Sequence, residues 1–172
     1  MHYELAEVNI ARLADDLDSP RLSDFVAQLE PINALADAAD GFVWRLQTED
    51  GDATSIVAFA DEQREGVGVI TNLSTWRDME SMTAYVYRSA HAEVMRRRRE
   101  WFLPIAEGYL VCWWVPAGHR PSTADAEERL AHLRRHGPTP YAFTIKQHYP
   151  APGAVAADRE LGPSRDWQPC RA

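Results

Sequence analysis

Apolar and polar positions alternate along this chain in segments short enough to read one at a time. "YELAEVNIARL" opens it as a strand, with Leu5, Val8 and Ile10 among polar neighbours. "DSPRLSDFVAQLEPINALADAADG" changes the period. Phe25, Val26, Leu29, Ile32 and Leu35 recur at the three- and four-residue steps of a helical face, with Ser23 or Asp24 as cap and Gly41 as stop. Pro31 lies inside that pattern and is expected to break or kink it, because its ring removes a backbone donor. "GFVWRLQT" and "ATSIVAFA" predict two strands around the turn signal "EDGD", and "GVGVITNLSTW" predicts another. A long helix follows from Asp78, its cap, to Phe102. "GYLVCWWVP" is a strongly apolar strand. "STADAEERLAHLRRHGP" is a helix with Ser122 and Asp125 at capping-box spacing and Gly137–Pro138 at its end. "YAFTIKQHYP" closes the series as a last strand.

This order predicts an α+β protein: a mainly antiparallel sheet with helices on one face, in the split β-α-β, ferredoxin-like arrangement. Trp113 and Trp114 are adjacent on one strand, so they point to opposite faces. The face without helices needs a cover, and a second subunit is expected to supply it. Residues 1–150 read as a single domain. Residues 151–172 shift to Pro, Ala, Gly and charge and read as a surface tail, in which Trp167 is the residue able to dock.

Composition narrows the function classes. A chain of 172 residues with 45% apolar content suits one soluble domain with a real core. No stretch approaches the roughly 20 apolar residues of a membrane span, and "MHYELAEVNIARL" does not read as a signal peptide. Cys112 lies in an apolar run and Cys170 in the tail. No CxxC pair exists, so a reducing cytoplasm is the default setting. The net charge of −8 argues against a nucleic-acid partner, since the overall field repels a polyanion.

"LAEVNIARL", "INALADAADGFVWRLQ", "NLSTW", "AYVYRSAHAEVMRRRREWF" and "WWVPAGHRPS" together resemble the DUF3291 family. That family is similar to the dimeric α/β-barrel superfamily, in which two ferredoxin-like chains pack sheet against sheet. The superfamily includes cofactor-independent monooxygenases of polyketide-type aromatics, haem-degrading enzymes, chlorite dismutases, aldoxime dehydratases and small cyclases. The resemblance implies a homodimeric α/β barrel; it does not select one reaction.

The long predicted helix carries the candidate chemistry. At helical spacing Met79, Thr83, Val86, Ala90 and Trp101 form a core stripe, and Tyr87, His91, Val94 and Arg98 form a second stripe beside it. The arginines at 96–99 wrap the helix: Arg96 and Arg99 face water, while Arg97 and Arg98 approach the core edge. Arg97 and Arg98 either lie over apolar surface or pair with carboxylates, or Arg98 places a positive charge at a pocket mouth. His91 has three readings: a hydrogen-bonded flank residue, a general base near neutral pH, or a haem ligand with Arg98 on a propionate.

Oxygenases of the superfamily use Asn, Trp and Tyr side chains to bind substrate and steady an anion. The resemblance puts Asn9, Asn72, Trp44, Trp76, Trp113 and Tyr87 forward for that work. Each Asn has a plainer reading as partner to a backbone group. His119 and Arg120 sit in the loop before Ser122, as turn chemistry or an anion contact. His132 and His136 are spaced i, i+4 without a third ligand, so no metal is expected. The leading expectation is a cofactor-independent monooxygenase- or cyclase-like enzyme acting on a small aromatic or polyketide-type molecule, with His91 and Tyr87 catalytic. The alternatives are a haem protein with His91 as ligand and a non-catalytic binder of a small apolar ligand.

Overall fold

The structure, a computed structural model, describes residues 2–49, 51, 53–63 and 68–154. Asp50 and Asp52 of the predicted turn, Gly66 and Val67 of the predicted strand, and the tail from Val155 with Trp167 and Cys170 lie outside the described residues.

The central strand is β1 (Tyr3–Leu13). β3 (Val69–Trp76) pairs antiparallel along one edge of it, and β2 (Phe42–Arg45) pairs antiparallel with β3. Two strands share the other edge of β1. β5 (Leu110–Pro116) takes Tyr3–Asn9, and the short β4 (Phe102–Leu103) takes Arg12 and Leu13. The order β2-β3-β1-β5, antiparallel throughout, is ferredoxin-like as expected.

Helices lie on both faces of the sheet, which corrects the one-sided expectation. Ala6, Val8 and Ile10 of β1 point to one face with Val111, Trp113 and Val115 of β5. There they meet Ala126, Leu130 and Leu133 of α5 (Thr123–His136). Leu5 and Leu13 point the other way, toward α1 (Ser23–Asp37) and the helical segment after β3, meeting Leu22, Phe25, Met82 and Trp101. Trp113 and Trp114 do face opposite sides. The cover expected from a second subunit is supplied by this chain's own α5, started by the predicted capping box of Ser122 and Asp125.

The long helix is three pieces: α2 (Met79–Arg88), α3 (His91–Arg96) and α4 (Arg98–Trp101). Asp78 caps α2 as expected, accepting the Ser81 amide at 2.8 Å. The break falls at Ser89, which is extended (φ −104°, ψ 177°); its hydroxyl donates to the Tyr85 carbonyl and accepts the His91 amide at 3.1 Å. Serine competes for backbone partners in this way, and a heptad-like pattern does not reveal it. Pro31 does not break α1. It is exposed on the outer side, where the helix runs through it. Gly41 turns the chain into β2 with φ 75°, and a Cβ there would lie 2.2 Å from Ser81 Oγ, so only glycine fits.

Two predicted strands are largely absent. "YAFTIKQHYP" contributes to β5 a single bridge, between Phe143 and Cys112, on the edge away from β1. "ATSIVAFA" runs irregularly into a 3₁₀ turn at Ala60–Glu62, with Ala58 and Phe59 buried under α5. No described helix is long and apolar enough to cross a membrane.

If α5 is an integral layer, Leu130→Ala should lower the unfolding free energy by about 2–5 kcal/mol in urea denaturation, and Ser122→Ala by about 1 kcal/mol. Val57→Ala, at a side chain 77% exposed, should change it little.

Candidate active site

Strand alternation places Leu5, Glu7 and Asn9 of β1 on the face toward α1–α4. The register sets Glu7 beside Ser74, Asn9 beside Asn72, and Cys112 across from Glu7 on β5. The middle of this face is therefore a polar row between two apolar clusters, one around Trp76 and Met82 and one around Trp101 and Phe25.

Donors in the row run toward Glu7. Asn72 Nδ2 donates to Asn9 Oδ1 at 3.1 Å, and Asn9 Nδ2 donates to Glu7 Oε1 at 3.0 Å. Trp76 Nε1 donates to Ser74 Oγ at 2.9 Å, and Ser74 Oγ makes a longer contact of 3.5 Å with Glu7 Oε2. Asn72 is exposed, Asn9 is half-buried, and Glu7 is 7% exposed, so the row leads from the surface to an enclosed carboxyl. Burial pushes the Glu7 pKa from the ordinary 4.5 up to about 7, against the opposing pull of Asn9 and Ser74. Near neutrality this carboxyl can give or take a proton.

An aromatic stack flanks the row. Tyr85 stacks on Trp76 with centroids 5.1 Å apart, and His91 lies on Tyr85 at 4.9 Å. The helix break at Ser89 makes this possible, because Tyr85 and His91 would diverge on a continuous helix. The Tyr85 hydroxyl donates to the Ile32 carbonyl at 3.3 Å. Burial first, then the charge of Glu7, raises its pKa to about 12. Burial lowers the pKa of His91. Its Nδ1 lies 3.3 Å from the Val86 carbonyl, which only accepts, so Nδ1 carries the proton there and Nε2 is the ring's acceptor. Outside this stack a cleft of about 480 Å³ runs between α1 and α2, lined by Leu35, Ala39, Ser81, Ala84 and Tyr85.

The structure places Asn9, Asn72 and Trp76 on one face of the sheet and sets His91 beside Trp76 through Tyr85. Tyr87 is 62% exposed, because the stripe joining it to His91 ends at the helix break. Arg98 is exposed on α4, its guanidinium over the Tyr109 ring with Nη1 3.0 Å from the hydroxyl. Trp44 and Trp113 belong to the cluster under α5, on the opposite face. Arg97 pairs with Asp24 and Glu100 and lies over the Trp101 ring. His119 and Arg120 are exposed before α5, and His132 bonds Thr139 with His136 stacked on it.

Glu7, Ser74 and Tyr85 are additions that the sequence analysis missed. The signal for the first two was parity: Glu7 shares its face with Leu5 and Asn9, and Ser74 with Asn72 and Trp76, once both faces of the sheet are covered.

Of the pair put forward for a haem, His91 packs on Tyr85 and Arg98 bonds the Tyr109 hydroxyl.

Fold and site together define a small α+β protein of ferredoxin-like strand order with an enclosed carboxyl on one face of its sheet. The chain belongs to the DUF3291 family, a domain of unknown function, whose match spans residues 4–159. No curated protein and no solved structure matches it.

The folded carboxyl of Glu7 titrates above its unfolded value, so the native state holds the extra proton between pH 4.5 and about 7. Its contribution to stability is complete below that window and is lost as pH rises through it, by at most about 1.4 kcal/mol per pH unit. Urea denaturation of wild type and Glu7→Gln from pH 4 to 8 should show this slope in the wild type alone.

Proposed function

We propose that this protein is a small-molecule enzyme of the cofactor-independent monooxygenase or cyclase kind, acting on an aromatic or polyketide-type molecule, with Glu7 as its base. The observation that carries the reading is the enclosed Glu7 carboxyl, reached by a ladder of amides and flanked by stacked aromatic rings. Glu7 takes a proton from a phenol, an enol or a carbon beside a carbonyl. Asn9 and Ser74 keep the carboxyl oriented, and the free capacity of the Asn72 amide steadies the developing anion. Trp76, Tyr85 and His91 offer a planar, largely apolar wall.

Two outcomes share that first step. In an oxygenation, dioxygen reacts with the electron-rich carbanion; one oxygen becomes a carbonyl at the former methylene, and the other leaves as water with the two hydrogens removed. In a cyclisation, the carbanion attacks a carbonyl carbon of the same molecule, a carbon–carbon bond forms, and water is lost. Both use Glu7 as base and then as acid.

His91 becomes a supporting group in this reading, holding Tyr85 in place. In this reading the protein is a homodimer in a reducing cytoplasm, as its sequence predicts.

Oxygen uptake with an anthrone or a dihydroxynaphthalene, and product formation followed by mass spectrometry, test the reading. Glu7→Gln should lower turnover by about 10²-fold or more, and the wild-type rate should rise with pH through a midpoint near 7. Tyr87→Phe and Arg98→Ala should leave the rate unchanged. Ligand-induced stabilisation without turnover, unaltered by Glu7→Gln, would select the non-catalytic binder instead.

A further inference from the structure

The sheet face under α5 carries a second arrangement, independent of Glu7. Residues 58–62 lie against it with alternate ends inward. Ala58 and Phe59 are buried in the apolar cluster with Val8, Ile10 and Leu130, Ala60 and Asp61 face water, and Glu62 turns back in. The Glu62 carboxylate sits between two guanidinium groups. Arg12 Nη2 lies 3.1 Å from Oε2, Arg134 Nη1 holds Oε1, and the three side chains are only 13%, 16% and 18% exposed for Arg12, Glu62 and Arg134. Arg12 Nε also donates to the Glu62 carbonyl at 3.1 Å, and Glu127 Oε1 accepts the Phe59 amide at 2.5 Å.

Three features of this clamp exceed what a purely structural tether needs. Two arginines surround one carboxylate here, leaving a positive excess that Glu107, 3.4 Å from Arg134 Nε and largely exposed, offsets weakly. Among the described residues Arg134 Nη2 is buried without a hydrogen-bond partner, and so is the hydroxyl of Thr71, which is fully buried and pairs with Ile10 in the register on this same face. Buried donors in native proteins are normally satisfied, so orphans of this kind point to something that binds there. Phe59 itself adopts φ 54°, the left-handed region that a bulky aromatic residue avoids. Backbone strain of that sort persists at clamps and switches.

We propose that Phe59 and Glu62 act as an internal ligand, and that the space they fill is a displaceable binding site for a small carboxylic acid with an aromatic body. The incoming ring replaces Phe59 in the apolar cluster. The incoming carboxylate replaces Glu62 between Arg12 and Arg134, and its second oxygen can accept from the unpartnered Nη2. Arginine forks suit a planar carboxylate and not a neutral amide. The site lies on the face opposite Glu7 and does not rest on any activity there.

Isothermal titration with phenylbutyrate, using wild type, Glu62→Ala, Phe59→Ala and Arg134→Met, tests this, with each variant first checked for a native melting transition. Removing the internal competitor should tighten phenylbutyrate binding by about tenfold or more in Glu62→Ala, because the open state no longer has to be selected. Phe59→Ala should tighten it in the same direction, which keeps the test decisive should one variant fold poorly. Arg134→Met should abolish binding, and phenylbutyramide should not bind any of the four proteins. No tightening in either strap variant, equal binding of the amide, or no binding of phenylbutyrate to any of them would overturn the proposal.

Discussion

Holding one carboxyl group out of water at the centre of the sheet is the constraint on which the rest of this structure depends. An unpaired buried charge is costly, so Glu7 is held by donors from its own strand and its neighbour, and its proton affinity rises. Those donors are in place because β1 and β3 pair in a register that aligns Asn9 with Asn72 and Glu7 with Ser74. A slip of one residue would send the whole row to the apolar side under α5. The site is thus a property of strand register before it is a property of any one side chain.

The helical layer is shaped to the same row. A continuous helix from Asp78 to Phe102 could not stack both Tyr85 and His91 beside Trp76. Ser89 interrupts it, using its hydroxyl on both sides of the break, and the two rings then stack. The opposite face follows different rules. It is apolar from Ala6 to Ile10 and closed by α5, and at one end of it Arg12 and Arg134 meet Glu62.

Much of the fold was legible from apolar periodicity alone. The strands at β1, β3 and β5, the helix α5 with its capping box, the Asp78 cap and the ferredoxin-like order all follow from spacing and cap chemistry. The rest was hidden for identifiable reasons. Pro31 is tolerated because it sits on the outer side of α1. The break at Ser89 has no Gly or Pro to announce it. "ATSIVAFA" has strand composition, yet the Phe59 amide goes to Glu127 and not to a ladder. In the site, Asn9, Asn72 and Trp76 were visible as polar or aromatic interruptions in apolar strands. Glu7 was not, because a carboxylate in an alternating strand reads as a solvent position until both faces are known to be covered. Tyr87 and Arg98 were placed by a helical projection that holds only as far as Arg88.

The claim that Glu7 is an enclosed acid–base group is open to direct observation. Carbon-detected NMR of the Glu7 side-chain carboxyl, titrated from pH 3 to pH 9 in the wild-type protein, reads its protonation without a substrate. The account predicts a midpoint near 7; a midpoint at the ordinary glutamate value of 4.5 would contradict it.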